Sequence, residues 1–128
     1  MRKSCLSVTS IICAIGLSLP GALYAHHGGA LEWQDGVKGP ITGVATEFLF
    51  RFPHVVVNVD VQDGDNLAHW AVTTRWTPTI LREHGWTRSS IKPGDSVTVT
   101  YRQHVKDPNV VQMQTIEVNG EPLPLSFE

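Results

Sequence analysis

Past residue 25 the sequence contains no cysteine, because Cys5 and Cys13 both lie near its start. A chain trimmed beyond them has no disulfide, no thiolate metal site and no cysteine nucleophile. Long apolar runs are scarce as well. Leu6 to Leu19 is the longest, 14 residues with a few small hydroxyls among them, whereas a bilayer-spanning helix needs roughly 20. Basic charge is thin: ten Lys and Arg stand against twelve Asp and Glu, with no basic run. That balance argues against polyphosphate and nucleic-acid partners. Neither a Ser-centred elbow nor a phosphate-cradling glycine loop is present, so enzymatic chemistry is not expected. Internal repeats and low-complexity tracts are missing too.

What the chain does have begins with an export signal. Arg2 and Lys3 form a positive start, the apolar run follows, and Pro20-Gly21 breaks it before Ala22-Leu23-Tyr24-Ala25. This order reads as a secretory signal peptide over residues 1–25 and places the mature protein in the periplasm. The residues before Cys13 are Ser10-Ile11-Ile12, too bulky for a lipid-modified cysteine. Cleavage after Ala25 leaves 103 of the 128 residues, with eight basic against twelve acidic side chains. That length supports one modest core. Residues 26–36 read as a flexible, histidine-led terminus and residues 37–128 as one barrel domain.

The barrel is expected around Ile41 to Asp60. A first strand starts near Val37 and contains Gly43, where a missing side chain marks a bend or bulge. Beyond it Val44, Phe48 and Phe50 share a face. Pro53 ends this strand. In the second strand Val55, Val57, Val59 and Val61 alternate against Val56, Asn58 and Asp60. Gln62 to Asn66 is a hairpin loop, and the return strand, Leu67 to Thr73, sets Ala68, Trp70 and Val72 against Leu67, His69 and Ala71.

One helix stands out. Thr77 is a good N-cap, Pro78 suits the first helical position, and Gly85 ends the helix after His84. Leu81 is then paired with Trp76 as a hydrophobic staple and with Trp86 as the apolar contact of a Schellman ending. Thr87 to Ile91 reads as one more turn. Lys92-Pro93-Gly94-Asp95 reads as a type II turn. A fourth strand buries Val97, Val99 and Tyr101, and a fifth runs from Val110 to Val118 with a bulge near Gln114 and Thr115. After Asn119-Gly120 a Pro-rich tail is extended. The fold class is therefore all-β with one short helix, in the order β-β-β-α-β-β, which matches a small five-stranded OB-like barrel.

Several motifs carry a family resemblance: Ala25-His26-His27, Thr42-Gly43-Val44, Pro53-His54-Val55, Gly85-Trp86-Thr87-Arg88 and Lys92 to Val99. Together they resemble a family of small exported bacterial proteins of unknown function. The resemblance spans nearly the whole mature chain and implies a periplasmic OB-like barrel with no established activity. That family commonly has Ser-Phe after the histidine pair and Asn before Pro-His; here Gly28-Gly29 and Phe52 stand in those places.

Candidate chemistry starts at the cleavage point. His26 as the first residue would offer an α-amino group, of ordinary pKa about 7.7–8.0, and an imidazole, a bidentate nitrogen chelate of the kind that suits copper. His27 or His54 would supply a third nitrogen; the alternative is a polar terminus that only makes a good cleavage junction. His54 is set against a structural histidine bonded to a loop carbonyl. His69 and Trp70 mark a possible ligand or docking face on strands two and three, with core packing the alternative for Trp70. Trp33, Trp76 and Trp86 would join it in an oligosaccharide groove. Arg75 and Arg88 are read as solvated charges paired with Glu83 or Asp95. His84 complements the helix dipole, and His104 is a loop residue. Asp60, Asp63 and Asp65 lack the ligand pattern of a calcium loop. Three functions follow as expectations: a copper-binding periplasmic module using His26, His27 and His54; a metal-free module docking on a periplasmic protein or envelope component; and an oligosaccharide-binding barrel.

Overall fold

The computed structural model describes residues 32–125. The expected signal peptide and the His26-His27 terminus lie outside the described residues. Strands β1 (Lys38–Leu49), β2 (Val56–Asp63) and β3 (Asn66–Thr73) are followed by helix α1 (Pro78–Glu83). Strands β4 (Ser96–Gln103), β5 (Val110–Val118) and β6 (Glu121–Leu123) complete the chain.

The strand order β3-β2-β1-β4-β5-β6 is closed on itself by a parallel pairing of β3 with β5. The circuit β1-β2-β3-β5-β4-β1, with the helix between β3 and β4, is the five-stranded OB barrel anticipated from the element order. The structure adds β6, which pairs with β5 through Ile116 with Leu123 and Val118 with Glu121. Proline inside it is tolerated because an edge strand needs ladder donors on one side only.

One long strand serves two edges because β1 changes partners along its length. Its first part pairs with β4 and its second with β2, the two meeting at Val44, which faces Ser96 and Asp60. At the crossing Gly43 is required: a Cβ there would collide with the Asp60 carbonyl and the Val59 side chain. The bulge itself falls between Ala45 and Glu47. It reverses the side-chain alternation, so the expected grouping of Val44 with Phe48 and Phe50 is corrected. Ala45 is buried, Val44 is 49% exposed, and Phe50 returns to the core.

The alternation of β2 is as expected, with Val55, Val57 and Val59 buried. The hairpin is tighter than the five-residue loop foreseen, since Asp63 already pairs with Asn66 across Gly64-Asp65. The shift in β5 is present too. Thr100 faces Thr115 while Tyr101 faces Met113, leaving Gln114 as the extra residue.

Both helix ends are closed as their residues dictate. The Thr77 hydroxyl accepts from the Ile80 N–H. Gly85 adopts a positive φ, its N–H donates to the Arg82 carbonyl, and the Trp86 N–H donates to Leu81. These are the two bonds of a Schellman motif. Leu81 and Trp86 are buried. The tail then crosses this region: the Trp86 Nε1 donates to the Pro124 carbonyl at 2.7 Å and the Trp76 Nε1 to the Leu125 carbonyl at 3.0 Å. Residues 87–91 form turns and bends and do not extend the helix. The Ser90 hydroxyl takes the Thr87 N–H at 2.8 Å, diverting the donor side of a further helical turn.

Candidate functional site

The outer edge of the β3–β5 closure carries a row of three polar side chains. Thr73, Gln112 and Arg102 stand side by side, because Gln112 is the ladder partner of both Thr73 and Arg102. Their neighbours Val72, Tyr101 and Met113 point into the core, so alternation turns these three outward. They contribute to a cleft of about 380 Å³ that Glu32, Trp33, His54, Thr74 and Arg75 complete. The β1–β2 loop contributes His54 to it, and the segment that bridges His104 contributes Trp33.

One wall is the chain leading into the barrel. Trp33 bridges His104, and the Gln34 N–H donates to the Gln103 carbonyl at 2.7 Å. Arg102 fastens the segment from below: its Nε donates to the Gln34 carbonyl at 3.1 Å and its Nη2 to the Trp33 carbonyl at 3.4 Å. Asp35 is 3.7 Å from Arg102 and fully exposed, a contact of little energetic weight. His104 shapes the adjoining hairpin, its Nδ1 accepting the N–H groups of Lys106 and Asp107, both at 3.2 Å. Within 26–36, then, Glu32 to Gln34 are docked on the barrel.

The other wall follows β3. Thr74 is buried and bonds both backbone groups of Trp76, accepting from its N–H at 2.7 Å. This local turn sends Arg75 outward, where its guanidinium lies 4.5 Å from the Trp76 ring centre. Arg75 was expected to pair with Glu83 or Asp95. It has no ion pair among the described residues. Asp95 is engaged elsewhere, accepting from the Lys92 N–H and the Asn119 amide. Those hydrogen bonds, the Asn119 one foremost, hold its carboxyl below the usual value of 3.8.

His54 is exposed on the β1–β2 loop and lines the cleft. Among the described residues its imidazole makes no hydrogen bond, so the loop-carbonyl bond of a structural histidine is not formed. His26 and His27 lie outside the described residues. Among the described residues no three His, Cys, Asp or Glu side chains converge as a metal site.

His69 and Trp70, expected to act together, border a shallower depression of about 320 Å³ with Asn58 and Asp60. They reach it from opposite faces of β3. His69 is 80% exposed in its side chain and its Nδ1 sits 2.5 Å from the Asp60 carboxylate. Trp70 packs edge-on against Tyr101, ring centres 5.5 Å apart. Its Nε1 is buried without a partner among the described residues. The indole is therefore committed to the barrel, and the two side chains do not form one site. The indoles of Trp76 and Trp86 are held by the tail, so of the four tryptophans only Trp33 borders the cleft.

Sequence reasoning missed Arg102, Gln112 and Thr73. The one available signal was an arginine on the outward, threonine-rich side of β4; nothing local tied it to residues on β3 and β5.

The model of a family of unknown function, DUF6152, matches residues 15–112. No curated protein matches. A crystal structure of the mitochondrial single-stranded DNA-binding protein Rim1 from S. cerevisiae is similar, with a TM-score of 0.45 and 11% identity, covering 70% of this chain and 98% of that one. The exclusion of nucleic-acid partners drawn from the acidic balance is corrected on physical grounds. Net charge describes the whole surface and leaves the potential of any one face open. Among the described residues no helix is long and apolar enough to cross a membrane.

Proposed function

The chain belongs to the DUF6152 family of unknown function, and we propose that it is an exported periplasmic binding module whose cleft takes a copper ion through His54 and the processed terminus. The observation that carries this is the His54 imidazole, without a hydrogen bond among the described residues, on the rim of a cleft that Glu32 also lines. Glu32 follows His26 by six residues, a span that an extended chain covers in about 20 Å. The amine and imidazole of His26 therefore have the covalent reach to meet His54. His27 is the other candidate for the third nitrogen. Three nitrogens from an amine and two imidazoles form a donor set that copper(II) favours over oxygen-preferring cations.

The test is a Cu(II) titration followed by visible absorption and electron paramagnetic resonance. It compares protein beginning at His26 with protein carrying one extra residue before it and with His54→Ala. The native start is expected to take one equivalent with a nitrogen-rich spectrum. Blocking the amine or removing the imidazole is expected to weaken binding by at least about tenfold, the loss that removal of even an outer-shell partner brings. Equal, weak binding by all three forms would end the copper reading.

A further inference from the structure

We infer that the same cleft binds a sugar acid, a hexuronate whose carboxylate pairs with Arg75; this rests on the cleft being the ligand site and does not require copper. The lining carries two guanidiniums, Arg75 and Arg102, against a single carboxylate, Glu32. Arg102 spends its Nε and Nη2 on the carbonyls of Gln34 and Trp33, which fixes it as part of the wall. Among the described residues Arg75 pairs with no carboxylate. It is nevertheless positioned, because its Cζ lies 4.5 Å from the centre of the Trp76 ring and that ring is tied to the Leu125 carbonyl. A guanidinium held in place and left unpaired is suited to a two-oxygen anion, which it meets with two parallel N–H bonds.

The rest of the lining selects among such anions. Glu32 repels a second negative charge, which disfavours phosphate and polycarboxylates, while its oxygens accept from hydroxyl groups. The Gln112 amide nitrogen has no partner among the described residues and donates; its oxygen is only weakly engaged, at 3.5 Å from Gln114. Thr73 lies beside it in the ladder; its hydroxyl donates to the Val55 and Thr74 carbonyls, and its oxygen, which no donor reaches among the described residues, accepts. Trp33 contributes an aromatic surface of the kind that covers the C–H face of a sugar ring. One carboxylate, several hydroxyls and one apolar face describe a uronic acid. A volume of about 380 Å³ is within the range of small-ligand pockets.

The experiment uses the purified, metal-free protein and records ¹⁵N-correlation spectra, with the Trp33 indole and the Gln112 side-chain amide as reporters. The probes are D-galacturonate, D-galactose and inorganic phosphate. Galacturonate is expected to shift both reporters saturably, and galactose, identical except at the carboxylate, to bind at least about tenfold more weakly, as loss of a charged hydrogen-bond pair implies. Arg75→Gln should erase that preference, and Arg88→Gln, outside the lining, should keep it. Absence of saturable shifts with galacturonate would overturn the inference. So would galactose or phosphate binding as tightly as galacturonate, or an Arg75→Gln protein that retains the preference. Galacturonate binding without copper binding would remove the metal reading alone; the reverse would remove this one alone.

Discussion

The helix-and-tail closure and the cleft lined by His54 are built from similar residues, tryptophans, threonines and a histidine, yet they differ in how completely each polar group is used. In the closure the helix cap, the Schellman bonds and both indole N–H groups have partners, and Leu81 and Trp86 are buried. In the cleft His54 has no hydrogen bond among the described residues and Arg75 has no ion pair. Even Phe52, two residues before His54, is 62% exposed. Satisfied groups stabilise a fold, whereas groups left unsatisfied retain interaction energy for something that arrives later. On the proposed reading, stability falls to one region and recognition to the other.

The strongest way to break that assignment is at Leu81. Leu81→Ala leaves a cavity beneath a helix of six residues that is too short to persist without its packing. A loss of about 2–5 kcal/mol is expected in urea unfolding. A loss below about 0.5 kcal/mol would show that the closure carries no special share of the stability.

A smaller effect comes from Asp95, which joins the turn before β4 to Asn119 in the turn between β5 and β6. Its carboxyl is held below 3.8 by these hydrogen bonds, so the folded state favours the ionised form. The contribution is fully present above the unfolded-state value and is lost as pH falls below it through the lower, folded-state value. Unfolding midpoints of the native protein and Asp95→Asn should therefore differ by a constant amount above about pH 5 and converge below about pH 3.8. A difference that stays constant down to about pH 2.5 would show that these hydrogen bonds do not favour the ionised carboxyl.

The two regions also differed in how much of them was legible in the sequence. The helix closure was readable because its signals are local: Thr77, Pro78, Leu81, Gly85 and Trp86 fall within ten residues and each fixes a backbone position. The valines of β2 and the parity shift near Gln114 were readable for the same reason. The bulge after Ala45 was not, since it depends on how β1 passes from β4 to β2, and Gly43 offered a competing explanation that tertiary contact with Asp60 resolved differently. The cleft was least legible. Thr73 and Gln112 meet only through the parallel closure of strands far apart in the chain, and register of that kind is set by the folded barrel. His54 was singled out by its place after Pro53, but its lack of a partner is a fact of the loop's conformation.

The smallest expected stability effect sharpens the comparison most. His54→Ala removes an exposed imidazole that makes no hydrogen bond among the described residues. The backbone around it keeps its anchors, since the neighbouring Val55 remains buried and its carbonyl still accepts from the Thr74 N–H. Unfolding free energy should stay within about 0.5 kcal/mol of the native value, as for surface substitutions outside any network. The same variant is expected to lose Cu(II) affinity, so that one substitution separates the two properties. Should it instead lower the urea midpoint by as much as Leu81→Ala, the imidazole would be part of the scaffold, and the division between a satisfied closure and an unsatisfied cleft would fall.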